Sequence, residues 1–226
     1  MAKKGKKYLE AKAKVPVEST YPLPEAVALV KDVSYSKFVW SMELHIDTNA
    51  DPKYNDQALR GTVVLPHGTG KTIKVAAFVS DDKRDAATAA GADIVGNTEI
   101  IDAVGKGDID FDVLITTGDQ MRDLARVAKQ LWPKGLMPSP KAGTVVADIA
   151  KAIDEFKKWK VEYKLDKHGS IHIALGKLNF NDSQLVENIE TVLKSMEDNK
   201  PAWVKGHLIK KIVLAPTMGP GVQVEY

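Results

Sequence analysis

Cysteine is absent from the chain. That single absence removes disulfide frameworks, thiolate zinc sites, iron–sulfur clusters and cysteine nucleophiles together. Long apolar runs are also missing: none approaches the roughly 20 residues of a membrane span, and no apolar signal core follows the basic N-terminus. The sequence therefore reads as a soluble, cytoplasmic chain without membrane partners. Aromatic residues are sparse at 7%, against 44% hydrophobic and 27% charged residues overall. At 226 residues there is still enough chain to bury about 70% of its extended surface, in one large or two small domains.

Signatures of catalysis are wanting as well. Gly68–Thr69–Gly70–Lys71–Thr72 ends like a phosphate-binding P-loop, but Leu65 stands where the earlier glycine is needed. The segment also leads into a strand, whereas a P-loop opens a helix whose N-terminal N–H groups face the anion. Two glycines at a domain exit account for it more simply. Among the histidines (His45, His67, His168, His172 and His207), His168 and His172 have helical metal-pair spacing but fall in a turn and a strand. Asp108, Asp110 and Asp112 alternate in a solvated stretch, and no serine sits in a nucleophile elbow. The expectation is a protein without catalytic residues, metal or cofactor.

What is present is an uneven distribution of charge. The net charge is only +2, yet Met1–Lys14 holds Lys3, Lys4, Lys6, Lys7, Lys12 and Lys14 against the lone acid Glu10. By contrast, Asp81–Asp123 carries eleven acids and four bases. A basic arm suits a polyanion, because each lysine on a phosphate releases a condensed counterion; it equally suits a solubilising terminus. Lys37, Lys164, Lys167, Lys205, Lys210 and Lys211 lie on the outer segments, and they form either a basic face or an ordinary solvated one.

The hydrophobic texture divides the chain into three. Near the N-terminus, Glu25–Lys31 has helical spacing, Phe38–Ile46 alternates as a strand and Gly61–Leu65 is a short strand. From Ile73 to Trp159, strand and helix patterns alternate, which predicts a parallel sheet with helices on it. Helices are expected at Asp81–Ala90, at Asn97–Val104 with Asn97 as cap, at Asp119–Leu131 and at Ala147–Trp159. From Lys160 the alternating texture returns: a hairpin of Val161–Leu165 and Ser170–Leu175, a helix from Asp182 or Ser183 to Asn199, and strands at Leu208–Ala215 and Val222–Glu225. The fold class is α/β plus α+β in two domains. A discontinuous α+β domain, 1–67 with 160–226, carries an inserted Rossmann-like α/β domain, 68–159. Two irregular stretches, Leu136–Gly143 and Thr217–Gly221, are rich in proline and glycine and suit either rigid connectors or functional loops.

Five blocks then become recognisable. Ala58–Lys71 (ALRGTVVLPHGTGK) resembles the signature of the large-subunit ribosomal protein L-one family, the stalk protein. Ala90–Gly96, Pro133–Val145, Asp166–Phe180 and Thr217–Val224 resemble that family's other blocks, in order, so that the likeness covers nearly the whole chain. It implies a discontinuous domain with a nucleotide-free Rossmann-like insert, monomeric when free. It implies a structural constituent of the large ribosomal subunit that binds rRNA at the mobile stalk near the tRNA exit site, with exit-site tRNA as a partner whose deacylated form it helps release. In bacteria the family also represses its own operon by binding an mRNA site that mimics the rRNA.

Carried over by the resemblance, the RNA-binding residues are Lys37, Phe38, Ser41 and Glu43 on the first strand. To these are added Asp166, Lys167, His168 and Gly169 at the turn, and Thr217, Met218 and Gly219 at the last joint. Lysines suit phosphates, hydroxyls suit 2′-hydroxyl groups, and a glycine admits close approach. Phe38 and Met218 offer an apolar platform, unless they pack in the core. Glu43 and Asp166 must accept bonds from sugar or base donors, or hold a lysine, since a bare carboxylate repels phosphate. The chain departs from the family pattern at Val39–Trp40, where acids are usual, and at His168, Lys211 and Trp132, which replace a hydroxyl residue, a small hydroxyl residue and a glycine.

The runner-up class is a nucleotide-using enzyme built on the insert. Calorimetric titration of the chain with ATP and magnesium is expected to be flat; measurable binding heat would return that class to contention.

Overall fold

The computed structural model describes residues 5–16, 19–204 and 206–225. Lys3, Lys4 and Lys205, part of the expected basic surface, lie outside the described residues. The chain forms two compact units, Met1–Lys71 with Val161–Tyr226, and Thr72–Lys160.

The first unit begins with α1 (Lys6–Ala13), β1 (Thr20–Tyr21), α2 (Leu23–Asp32), β2 (Ser41–Thr48) and β3 (Arg60–Val64). The second runs through β4 (Val75–Phe78), α3 (Arg84–Ala89), β5 (Ile94–Gly96), α4 (Thr98–Lys106), β6 (Val113–Thr116), α5 (Met121–Leu124), α6 (Ala128–Leu131) and α7 (Ile149–Lys157). The chain returns with β7 (Lys160–Lys164), β8 (Ser170–Lys177), α8 (Asp182–Asp198), β9 (Ile209–Pro216) and β10 (Val222–Val224).

In the second unit the sheet order is β5-β4-β6, all parallel. All four residues of β4 are buried, and they alternate between two cores. Val75 and Ala77 pack with Ile149, Ile153 and Phe156 of α7, while Ala76 and Phe78 pack with Ile100, Val104, Leu124 and Leu131 of α4 to α6. A strand covered on both faces reads as a continuous apolar run for this reason. The helix expected over Asp119–Leu131 is instead a chain of single turns, with one 3-10 segment, Gly118–Gln120, ahead of the short α5 and another, Ala125–Val127, between α5 and α6. Likewise Asp81–Lys83 is a 3-10 turn ahead of α3, and Asn97 precedes α4 without a capping bond from its side chain.

The first unit is built on a five-stranded sheet of order β1-β10-β9-β2-β8. Met42, Leu44 and Ile46 of β2, Ile171, Ile173 and Leu175 of β8, and Ile212 and Leu214 of β9 form one buried face. The apolar stripes of α2 (Ala26, Val27, Val30) and α8 (Leu185, Ile189, Val192, Met196) cover it. The expected hairpin of Val161–Leu165 with Ser170–Leu175 does not form. Its turn is present, but β7 pairs with β3 in a separate two-stranded sheet and β8 pairs with β2. The choice is made by packing: Tyr163 of β7 is buried over Gly61 of β3, where any Cβ would collide with the phenol, and its hydroxyl donates to the Ser195 carbonyl of α8 (3.1 Å). Helix α8 is capped one residue earlier than expected, by Asn181, whose N–H donates to the Gln184 side chain (3.1 Å). Helix α1, inside the basic arm, carried no sequence expectation.

The segment that imitates a P-loop is fixed to α8. The His67 N–H donates to Asn188 Oδ1 (3.2 Å), and Asn188 Nδ2 donates to the carbonyls of Gly68 (3.1 Å) and Leu175 (2.8 Å). Gly70, at φ +68°, lies so close to Lys177 that a Cβ would stand 2.9 Å from its Cγ. Two polar groups of the segment, the His67 N–H and the Gly68 carbonyl, are thus spent on a buried side chain. Asn188 is fully buried, and replacing it strands three backbone groups, each costing about 1–3 kcal/mol when unsatisfied. Asn188→Ala should lower the urea midpoint with an unchanged m-value, a loss of about 2–4 kcal/mol in stability.

Candidate RNA-binding surface

Along β2, alternate residues face opposite ways: Met42, Leu44, Ile46 and Thr48 are buried, while Ser41, Glu43, His45 and Asp47 are not. With α2 and α8 on the buried side, the second group lines an open face. Partners across the ladders extend it: His45 lies opposite His172 and Val213, and Asp47 opposite Ser170 and Lys211.

Six of the eleven residues gather at one end of this face. Ser41 begins β2, and its carbonyl accepts both the Thr217 N–H (3.1 Å) and the Thr217 hydroxyl (3.2 Å). The Thr217 oxygen therefore presents its lone pairs outward, as an acceptor. Tyr35 donates to the Met218 carbonyl (3.1 Å) and stacks edge-on against Trp40, fixing the joint against the approach to β2. Phe38 is 71% exposed and Met218 65% exposed, so neither is a core residue. Contrary to the strand reading, Phe38–Trp40 precedes the strand: β2 starts at Ser41, and the Phe38 N–H donates to the Ser36 hydroxyl (3.0 Å). Lys37 is exposed beside them. Gly219 has an internal reason for being glycine, because a Cβ there would run into the Pro216 ring.

The turn residues gather at the other end. Asp47, paired with Ser170, is six residues from Ser41, or about 20 Å at roughly 3.3 Å per residue. Here Asp166 serves its own turn: one carboxylate oxygen accepts the N–H groups of Ser170 and His168, both at 2.8 Å. Those bonds, the Ser170 one first, hold its pKa below the usual carboxylate range. Gly169, at φ +84°, is buried rather than open, with a would-be Cβ 3.0 Å from the Ala50 carbonyl, and its own carbonyl accepts the Thr48 hydroxyl (2.7 Å). Both residues shape the turn that carries the exposed Lys167 and His168.

Between the two ends stand groups that sequence reasoning passed over. The Nδ1 atoms of His45 and His172 are 2.9 Å apart, within hydrogen-bond distance of each other. Burial first, then the neighbouring His172, pushes the His45 pKa down, and Glu43 opposes them. Glu43 lies 3.8 Å from His45 Nε2, and Asp166 3.7 Å from His172 Nε2. Glu43 therefore neighbours an imidazole instead of holding a lysine. Lys177 donates to the Ser41 hydroxyl (3.2 Å). The odd-numbered alternation of β2 was the available signal for His45; its pairing with His172 required the strand register. No group of three or more potential ligands able to hold a metal occurs among the described residues, and no described helix is long and apolar enough to cross a membrane.

Comparison with known proteins agrees with the five sequence blocks. A family model described as "Ribosomal protein L1p/L10e family" matches residues 30–220. The "Large ribosomal subunit protein uL1" of Kosmotoga olearia is 47% identical over 226 residues, covering 100% of this chain and 98% of the relative. Residues 30–220 take in the whole open face of β2, β8 and β9, and with that match the chain belongs to the ribosomal protein L1p/L10e family, non-enzymatic ribosomal proteins.

Proposed function

We propose that the chain is a structural constituent of the large ribosomal subunit that binds a folded rRNA element of the mobile stalk across the open face of its discontinuous domain, 1–67 with 160–226. The inserted domain, 68–159, contributes no nucleotide chemistry. The observation that carries this reading is the exposure of two apolar side chains, Phe38 and Met218, each next in the chain to an exposed polar residue, Lys37 and Thr217, with the Thr217 hydroxyl fixed on the Ser41 carbonyl. Apolar side chains cover sugars and base faces, lysines neutralise phosphates, and a fixed acceptor reads a 2′-hydroxyl, which separates RNA from DNA. The name and full-length identity of the Kosmotoga olearia relative support the same reading.

At the ribosome the same molecule contacts exit-site tRNA and assists release of its deacylated form. Off the ribosome it is a monomer that represses its own operon by presenting the one RNA face to an mRNA mimic of the rRNA site. An operon leader bound there is competed away by the rRNA fragment, since one surface serves both.

Met218→Ala should weaken binding to the stalk rRNA fragment by about 1–3 kcal/mol with thermal stability unchanged. Thr217→Val should weaken it similarly, although this change also removes a bond to Ser41. Wild-type affinity in a folded Met218→Ala variant would remove the assignment. Affinity should also depend on pH. Phosphate beside His45 favours its imidazolium, so the complex binds more protons than the free protein, whose His45 pKa is lowered. Binding should tighten as pH falls from neutrality toward the lowered His45 pKa, and His45→Gln should flatten the profile. Asp166, held ionised by its turn, does not titrate in that window.

A further inference from the structure

Helix α1 divides its side chains between two surroundings. Lys7, Glu10, Ala11 and Lys14 face Asp32, Val33 and Tyr35, with Lys14 paired to Asp32 at 2.8 Å. Tyr8 and Lys12, at the i, i+4 spacing of a helix face, line a second cleft together with Val15 and Ser19, which follow the helix. The far wall of that cleft is the open face of the sheet: Lys211 and Val213 of β9, Gln223 of β10, and Pro220–Gly221 of the joint that follows Met218 and Gly219. Its volume is about 190 Å³, more than ten times what one water needs at roughly 10–15 Å³.

The chemistry of this lining is one-sided. Its described residues supply two ammonium groups, two hydroxyls and an amide, and no carboxylate is among them. The cleft beside β5, in contrast, is lined by Glu99, Asp108 and Asp110. Neither Lys12 nor Lys211 has an ion-pair partner among the described residues, and both are exposed. The nearest acid across the ladder from Lys211 is Asp47, whose carboxylate accepts the Ser170 hydroxyl at 2.7 Å. Two unneutralised cations converging on one cleft repel each other unless an anion is placed between them. The helix is held there firmly: Ala11 and Val15 are buried in the main core of the unit.

We infer that the cleft between α1 and the β9–β10 edge is a phosphate-binding wing of the RNA surface, in which Lys12 and Lys211 clasp the backbone of the same RNA that covers Phe38 and Met218. The inference rests on the reading of the open face as an RNA surface. It assigns RNA contact to the first helix, outside residues 30–220. The wing positions the RNA without reading its sequence, as phosphate contacts do.

The test is a titration of the full chain with the stalk rRNA fragment over a series of potassium chloride concentrations, followed by fluorescence anisotropy. Wild type is compared with Lys12→Gln, Lys211→Gln, the double variant, and Lys106→Gln as a control on the second unit. Each cleft substitution should reduce the slope of log K against log salt by about one, and the pair by about two, with several-fold weaker binding at low salt. Lys106→Gln should leave the slope unchanged, and circular dichroism should show all variants folded. A double variant that keeps the wild-type slope, while Met218→Ala still weakens binding, overturns the wing and leaves the RNA face standing. Absence of fragment binding by wild type overturns both. Inorganic phosphate separates a backbone clasp from a small-anion site. If it shifts the Gly221 and Gln223 amide resonances at submillimolar concentration while the RNA slope is unaffected, the cleft serves free phosphate and the inference is wrong.

Discussion

The two-residue period of β2 governs the first unit. Each strand of the large sheet has one set of side chains that must leave water, and α2 and α8 bury that set with aliphatic stripes matched to it. The opposite set is then obliged to face solvent. A register slip of one residue would bury Glu43, His45 and Asp47 and expose Met42, Leu44 and Ile46, so the register is enforced by the cost of burying charge. The open face, on which the proposed function depends, is the inescapable reverse of the core.

That face is organised by contacts internal to the protein. Thr217 is tied to Ser41, Met218 to Tyr35, and His168 and Ser170 to the Asp166 carboxylate. Gly169 and Gly219 are glycines because Ala50 and Pro216 leave no room for a Cβ. In the proposed reading, such fixation removes from RNA binding the entropy cost of ordering these loops. It also sorts the residues by task. Asp166, Gly169 and Gly219 build the joints, whereas Lys37, Phe38, Lys167, His168, Thr217 and Met218 are exposed and are the residues the proposal assigns to RNA. In the proposed reading, a surface about 20 Å long, apolar at one end, imidazole-bearing in the middle and carrying Lys167 and His168 beside the turn carboxylates at the other, suits a folded RNA recognised by shape.

Much of this was legible beforehand. The continuous apolar run before Ser80 announced a strand buried on both faces, and the alternation of Met42, Leu44 and Ile46 announced a half-buried one. Less was legible where local pattern and long-range packing compete. The Val161–Leu165 and Ser170–Leu175 runs have every feature of a hairpin, yet Tyr163 finds Gly61 and Ser195 and draws its strand to β3. Phe38 continues the alternation of β2 in sequence but lies ahead of the strand and exposed, because Ser36 takes its N–H. Helix α1 was hidden by its lysines: its apolar residues are few, and burial of Ala11 and Val15 supplies what the pattern lacks.

The sequence by itself determined which residues are apolar and at what period, and hence the element types, the parallel character of the insert's sheet and, through five blocks of resemblance, the family. Those are properties of neighbours along the chain, where steric and solvation preferences act over a few residues. Only the tertiary structure decided which strands pair, that His45 meets His172, that Asp166 is consumed by its own turn and that Lys12 shares a cleft with Lys211. These depend on residues brought together from distant parts of the chain, and closing such distances is rewarded only when the whole core assembles.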